Sequence, residues 1–173
     1  MSSLPLPGTE QVRKVLQTSP VFGRLETEAL AALQAQLRLQ AVDAGALVIK
    51  EGAAADSLLI VISGRLRVSR QGQGGELQLF NELGPGDCQG EAALMLRQAR
   101  PADVTALRDA VVAWLDKDGF EALLHQQPVL WNHVFAQALA RYLRHVQTPS
   151  PSRRAMTIAL VPLQPMDGLR ELG

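Results

Sequence analysis

The chain has 173 residues, of which 47% are hydrophobic, and this composition supports one domain with a substantial apolar core. Its 17 basic residues balance 17 acidic ones, which excludes a global electrostatic attraction to nucleic acid or to an anionic membrane. The single cysteine, Cys88, excludes an intrachain disulfide and a multi-cysteine metal site, and it is typical of a reducing, cytoplasmic location.

Two helices are predicted near the N-terminus. From Thr9 to Leu39, apolar residues recur at the spacing of a helical face. The pair Ser19-Pro20 interrupts this periodicity, because proline ends a helix at or before the preceding residue. One helix is therefore expected before the pair and a second one after it.

The segment from Gln40 to about Leu115 is predicted to be rich in β-strands. Its apolar runs are short, and they are separated by predicted turns at Gly45, Gly52, Gly64, Gly72 to Gly75 and Gly84-Pro85-Gly86. The runs are ALVIK, SLLIVISG, RLRVSR, ELQLF, ADVTAL and AVVAWL. Many short strands between glycine turns are typical of an antiparallel sandwich, barrel or jelly roll.

Helical periodicity returns after Asp118. The segment GFEALLHQQ predicts a short helix that Pro128 ends, and an apolar stripe from Leu130 to Val146 predicts a longer one. That stripe has two interpretations, packing against the β-domain or pairing of the helix at 129–147 with a second copy in a homodimer.

The predicted organisation has four parts. Residues 1–11 form an N-terminal tail, 12–147 the domain, 148–155 a linker, and 156–173 the truncated start of a following region. The linker prediction depends on QTPSPSRR, which is polar and proline-rich. The segment AMTIALVPLQP predicts the first strand of the following region.

The order of these segments closely resembles the cyclic nucleotide-binding domain family. The resemblance covers roughly Val12 to Gln147 and is carried by SPVFGRLETEALAALQAQLRLQAVDAGALVIKEGAAADSLLIVISGRLRV, GDCQGEAALM, RPADVTALRD and GFEALLHQQPVL. The family includes the sensor domains of bacterial cAMP receptor transcription factors, protein kinase A regulatory subunits and nucleotide-gated channels. The resemblance implies a mainly β fold with flanking α-helices: an eight-stranded β jelly roll with a short helix in its phosphate-binding cassette, N-terminal helices and C-terminal helices.

A binding site for a cyclic nucleotide can be predicted in that cassette. A cyclic phosphate carries one negative charge and needs a guanidinium and backbone N–H groups, which Arg100 and the turn at Gly90 can supply. In similar domains the carboxylate of a Gly-Glu pair accepts a ribose hydroxyl, and the matching residue is Glu91. The small side chains of Ala92 and Ala93 allow close approach of the ligand, cAMP or cGMP. No cofactor is expected.

Two residues depart from the family pattern. Pro101 follows the arginine, where the family usually offers a hydroxyl or N–H group to the phosphate, and proline has neither. Asp103 stands where serine or threonine is common, and its carboxylate could repel a phosphate or pair with Arg100. The alternative function is therefore a degenerate, ligand-free barrel that serves in dimerisation or in docking of another domain.

The linker and the segment after it resemble bacterial patatin-like phospholipases of the neuropathy target esterase type. The resemblance implies a regulatory domain that controls a downstream phospholipase or lysophospholipase of the same polypeptide. The chain contains no G-x-S-x-G nucleophile elbow, so we do not expect this fragment itself to be an enzyme.

Other kinds of partner and site are not predicted. The residues after the long helix are too few for a helix-turn-helix, and the longest apolar runs are too short to span a membrane. No nucleic acid or membrane partner is therefore expected for this fragment. The three histidines, His125, His133 and His145, lack companions at metal-ligand spacing, so no metal site is expected.

Overall fold

The structure is a computed structural model that describes residues 4–72 and 74–147. In the last helix it describes the backbone but not the side chains of residues 137 and 141–147. The predicted linker at 148–155 and the predicted strand in 156–173 lie outside the described residues, and the predicted domain boundaries remain predictions.

Helices flank a β-rich centre in the described chain. The helices are α1 (Thr9–Thr18), α2 (Thr27–Gln36), α3 (Glu91–Leu96), α4 (Lys117–Gln126) and α5 (Pro128–Gln147). The strands are β1 (Arg38–Val42), β2 (Leu47–Ile49), β3 (Ser57–Gln71), β4 (Leu77–Leu83), β5 (Cys88–Gln89) and β6 (Asp103–Asp116). This order agrees with the predicted succession of helices, strands and helices.

The strands form an antiparallel sheet in the order β1-β6-β3-β4. In addition, β2 pairs with β6, and β5 pairs with β3. The register places Trp114 of β6 opposite Arg38 on one side and Leu59 on the other. The strand β5, which leads into α3, lies opposite Leu59 and Ile60.

The described residues form six strands, whereas eight were predicted. The runs SLLIVISG and RLRVSR belong to one strand, β3, and the runs ADVTAL and AVVAWL both belong to β6. Gly64, which suggested a turn, has a φ of 90° and lies where the β3–β6 register shifts, so the strand bulges there and continues. The mainly β fold with flanking helices is confirmed, and the jelly-roll closure remains a prediction.

The sheet has a hydrophobic core on each face. In β3, Leu58, Ile60 and Ile62 belong to the core that includes the helices. The alternate residues Leu59 and Val61 belong to a second core formed by the strands. Burial of both faces explains why this part of β3 is a continuous apolar run rather than an alternating one.

The predicted break between the first two helices is present. Helix α1 ends at Thr18, and the next residue, Ser19, is buried. Its hydroxyl donates to the carbonyl of Gly86 at 2.7 Å and accepts the backbone N–H of Val21 at 3.2 Å. Ser19 therefore joins the N-terminal helices to the turn that precedes β5.

The apolar stripe of α5 divides between the core and the surface. Leu130 and Val134 are buried in the core beside the other helices. In contrast, Trp131, Phe135 and Leu139 have exposed fractions of 45%, 57% and 43%. Packing against the domain therefore explains only part of the stripe, and its side chains from Tyr142 onward lie outside the described ones.

Candidate anion-binding site

The candidate site begins where β5 ends and α3 starts. Gly90 has a φ of 105°, in the left-handed region that favours glycine. A Cβ atom built on Gly90 would collide with the Nη1 atom of Arg100. Both the backbone conformation and the close approach of the guanidinium therefore require glycine at this position.

Arg100 is held by the loop that joins β2 to β3. Its backbone N–H donates to the carbonyl of Ala53 at 2.9 Å, and its carbonyl accepts the N–H of Gly52 at 2.9 Å. The side-chain Nη2 donates to the carbonyl of Ser57 at 2.6 Å. The Oδ1 atom of Asp56 lies 3.7 Å from Nη2 and forms the ion pair of this guanidinium. These contacts position the arginine without help from α3.

The guanidinium of Arg100 is removed from solvent, since the residue is only 4% exposed. Burial lowers the pKa of Arg100, while the carboxylates of Asp56 and Glu91 raise it. An arginine side chain keeps its proton in proteins, so the site contains a buried positive charge.

One end of the guanidinium has no acceptor. The Nη1 atom, which lies against Gly90, is buried and has no hydrogen-bond partner among the described residues. A buried charged donor without an acceptor costs free energy, because it has lost its hydrogen bonds to water. An anion at the start of the cassette would remove this cost.

The other predicted cassette residues follow Gly90 in the first turn of α3. Glu91 is 3% exposed, and its charge acts on the pKa of Arg100. Ala92 is half-buried and Ala93 is buried. The structure thus brings Gly90 and Glu91 together with Arg100, although these parts are separated along the chain. The predicted ribose contact of Glu91 remains a prediction.

The two departures from the family pattern have different surroundings. Pro101 is exposed. The Oδ1 atom of Asp103 accepts the backbone N–H of Glu51 at 2.6 Å. The suggested ion pair between Arg100 and Asp103 is not the one found, since the described ion pair of Arg100 is with Asp56. Asp103 instead helps to attach β6 to the end of β2.

The residues that position Arg100 were not predicted from the sequence. Asp56 is the last residue of the β2–β3 loop and Ser57 the first of β3, and Ser57 is separated from the arginine by 43 positions. Arg100 lies between α3 and β6, and its hydrogen bond goes to the backbone carbonyl of Ser57, so no side-chain pattern predicts the contact. In the sequence, these two residues are marked only by their position after Gly52 and at the start of the most apolar run.

Two kinds of feature are absent from the part of the chain that the structure describes. Within residues 4–72 and 74–147, no three His, Cys, Asp or Glu side chains form a group that could hold a metal ion. Among the same residues, no helix has the length and apolar character needed to cross a membrane. Cys88 is buried in the core and belongs to neither kind of site.

Known relatives share most of the described chain. An uncharacterized NTE family protein of Mycobacterium tuberculosis is 32% identical over 155 residues, which cover 89% of this chain and 25% of that protein. Lysophospholipase NTE1 of Phaeosphaeria nodorum is 33% identical over 87 residues, which cover 50% of this chain and 6% of that protein. The chain therefore spans a quarter or less of the length of these NTE-family relatives.

A solved structure and a family pattern agree on the domain. The regulatory domain of Toxoplasma gondii PKA, crystallised with cAMP, is 31% identical, with a TM-score of 0.62 over 66% of this chain and 44% of that chain. The sequence pattern of the cyclic nucleotide-binding domain matches residues 39–127, from β1 to the residue after α4. This fold is a regulatory binding fold and not an enzyme fold. The chain belongs to the cyclic nucleotide-binding domain family.

Proposed function

We propose that this domain binds a cyclic nucleotide, cAMP or cGMP, with the cyclic phosphate between Arg100 and the start of α3. The observation that carries the proposal is the buried Nη1 atom of Arg100, a charged donor without a partner among the described residues. One negative charge on the ligand would match one guanidinium, and a charge-assisted hydrogen bond is stronger than a neutral one. Glu91 would accept a ribose hydroxyl, and Ala92 and Ala93 would leave room for the ligand.

The burial of Nη1 suggests how binding would be transmitted. Because solvent does not reach this atom, the ligand would have to displace the cassette residues Gly90–Leu96 slightly from Arg100. Helix α3 packs against α5, and α4 does so too. A ligand that favours the displaced cassette would therefore also change the position that α5 prefers.

Calorimetric titration of the purified chain with cAMP and with cGMP tests this proposal. We expect saturable heat with a dissociation constant in the micromolar range for at least one of the two. No heat up to millimolar ligand would contradict it and would favour the ligand-free interaction module. Pro101 cannot donate a backbone hydrogen bond to the phosphate. Saturable heat would show that the site binds its ligand without this donor, and no heat would agree with its loss.

We further propose that the domain controls a patatin-like phospholipase or lysophospholipase region of the same polypeptide. The proposal is supported by the NTE-family relatives, which are far longer than the segment that they share with this chain. Hydrolysis of a lysophospholipid by the full-length protein should change when the cyclic nucleotide is added. A rate that is identical with and without saturating ligand, while calorimetry shows binding, would contradict this control but not the binding.

The exposed face of α5 supports a third proposal, pairing with a second copy of the chain. Trp131, Phe135 and Leu139 are spaced four residues apart and all lie on the surface, where a partner helix could cover them. Sedimentation of the wild-type chain should then show a dimer that Phe135→Glu abolishes. Ala136→Glu adds the same charge at an exposed neighbour outside the stripe and should leave the dimer intact. A monomeric wild-type chain would contradict the pairing.

A further inference from the structure

A cleft of about 350 Å³ has Arg100 among its lining residues. We call it the lateral cleft. Its lining comes from β1, β2, the β2–β3 loop and β6, and includes Arg38, Gln40, Lys50, Arg100 and Trp114. No residue of α3 lines it. The volume is within the range of small-molecule sites, about 300 to 1,000 Å³.

The lining of the lateral cleft favours an anion. It holds three cationic side chains, Arg38, Lys50 and Arg100, and one carboxylate, Asp56. Lys50 is exposed and has no ion pair within residues 4–72 and 74–147. Arg38 pairs with Asp116 at 3.0 Å, but both side chains are mostly exposed, so this pair is easily exchanged for another.

One wall of the lateral cleft is aromatic and fixed. The Nε1 atom of Trp114 donates to Oε1 of Gln40 at 2.8 Å, and the indole packs against the strand core. An indole held in this way offers a flat surface on which a nucleobase can stack. The lining also includes the small side chains of Ala53 and Ala54.

We propose that the lateral cleft binds a non-cyclic nucleoside monophosphate, with the phosphate on Lys50 and Arg38 and the base on Trp114. A terminal phosphate carries a charge of about −1.5 to −2 at neutral pH, so it suits two cations better than a cyclic phosphate does. Arg100 lines the cleft and also belongs to the proposed cyclic nucleotide site, whereas Lys50, Arg38 and Trp114, which would hold the nucleoside monophosphate, lie outside that site.

Fluorescence of Trp114 provides the test, with AMP as the probe. The other tryptophan, Trp131, is first replaced in a Trp131→Phe variant of the whole chain, so that the signal reports on the lateral cleft alone. We expect saturable quenching by AMP that survives saturating cAMP. Lys50→Ala should weaken AMP binding about tenfold or more, because a charge-assisted contact is lost. Lys14→Ala, at another exposed lysine, is the matched control and should have no effect.

Three results would overturn the proposal. The first is the absence of saturable quenching up to about 10 mM AMP. The second is quenching of equal affinity in the Lys50→Ala variant and the Lys14→Ala control. The third is complete displacement of AMP by cAMP with no effect of Lys50→Ala, which would assign AMP to the cassette.

Discussion

The two sides of Arg100 differ in what they offer its guanidinium. On the side of the β2–β3 loop, Nη2 has the carbonyl of Ser57 and the carboxylate of Asp56. On the side of α3, Nη1 meets the glycine that starts the cassette and has no acceptor within the described residues. The fold therefore positions this arginine from one side only. The other side is where a ligand can supply what the protein does not.

The largest expected effect follows from removing the guanidinium. Arg100→Ala should weaken cyclic nucleotide binding about a hundredfold or more, since charge-assisted hydrogen bonds to the phosphate are lost. Calorimetry measures the loss, and thermal unfolding checks that the variant folds. Arg108→Ala removes an exposed arginine of β6 and serves as the control. A dissociation constant within about threefold of wild type would contradict the assignment of Arg100 to the phosphate.

Two substitutions separate the stability cost of a side chain against Nη1 of Arg100 from the cost of the left-handed backbone conformation at position 90. Gly90→Ala should lower the free energy of unfolding by about 2 to 3 kcal/mol, because it combines a left-handed φ with a collision. Gly45→Ala has a similar φ of 82° and open space around its Cβ, so it should cost only about 1 to 2 kcal/mol. Denaturation with urea compares the two variants. Equal losses would show that the guanidinium moves away from Gly90 at no cost.

Asp103 tests whether a carboxylate near the site opposes the ligand. Asp103→Ala should lower the free energy of unfolding by about 1 to 2 kcal/mol, because the N–H of Glu51 loses its acceptor. Affinity for the cyclic nucleotide should stay within about threefold, since this carboxylate is directed at Glu51. Asp103→Asn keeps an acceptor and should restore most of the stability. A tenfold or larger gain in affinity for either variant, about 1.4 kcal/mol, would show that the carboxylate repels the phosphate.

The smallest effect is expected on the loop side of the arginine. Asp56 is 83% exposed and 3.7 Å from Nη2, so Asp56→Asn should cost less than about 1 kcal/mol in stability. Its effect on cyclic nucleotide affinity should be below about fivefold and should shrink further at high salt. A loss as large as that of Arg100→Ala would mean that Asp56, rather than the carbonyl of Ser57, holds the guanidinium.

Much of the fold could be predicted from sequence because its signals are local. The apolar spacing of α1, α2, α4 and α5 marked those helices, and the series of glycines marked the strand-rich centre. The eight strands that the resemblance implies were not confirmed, since the described residues form six. The runs on either side of Gly64 form one strand, because a glycine gives the same sequence signal in a bulge as in a turn. Only the pairing of β3 with β6 distinguishes the two cases.

The candidate site was predictable in its parts and not in its contacts. Gly90, Glu91 and Arg100 were predicted as site residues from the resemblance, and the structure brings them together. The roles of Ser57 and Asp103 were not predictable, because both depend on backbone groups of distant segments. The lateral cleft was not predictable either, because Lys50 and Trp114, which both line it, are far apart along the chain.

The central claim is that the Nη1 atom of Arg100 is the donor for a cyclic phosphate, and its resonance tests this most directly. In a nitrogen-15 spectrum of the arginine side chains, the signals missing from the Arg100→Lys variant identify Arg100. We predict that saturating cAMP or cGMP shifts its Nη protons downfield and slows their exchange with water, as expected for a charge-assisted hydrogen bond. Arg100 signals that are unchanged at a ligand concentration where calorimetry shows full binding would contradict the claim.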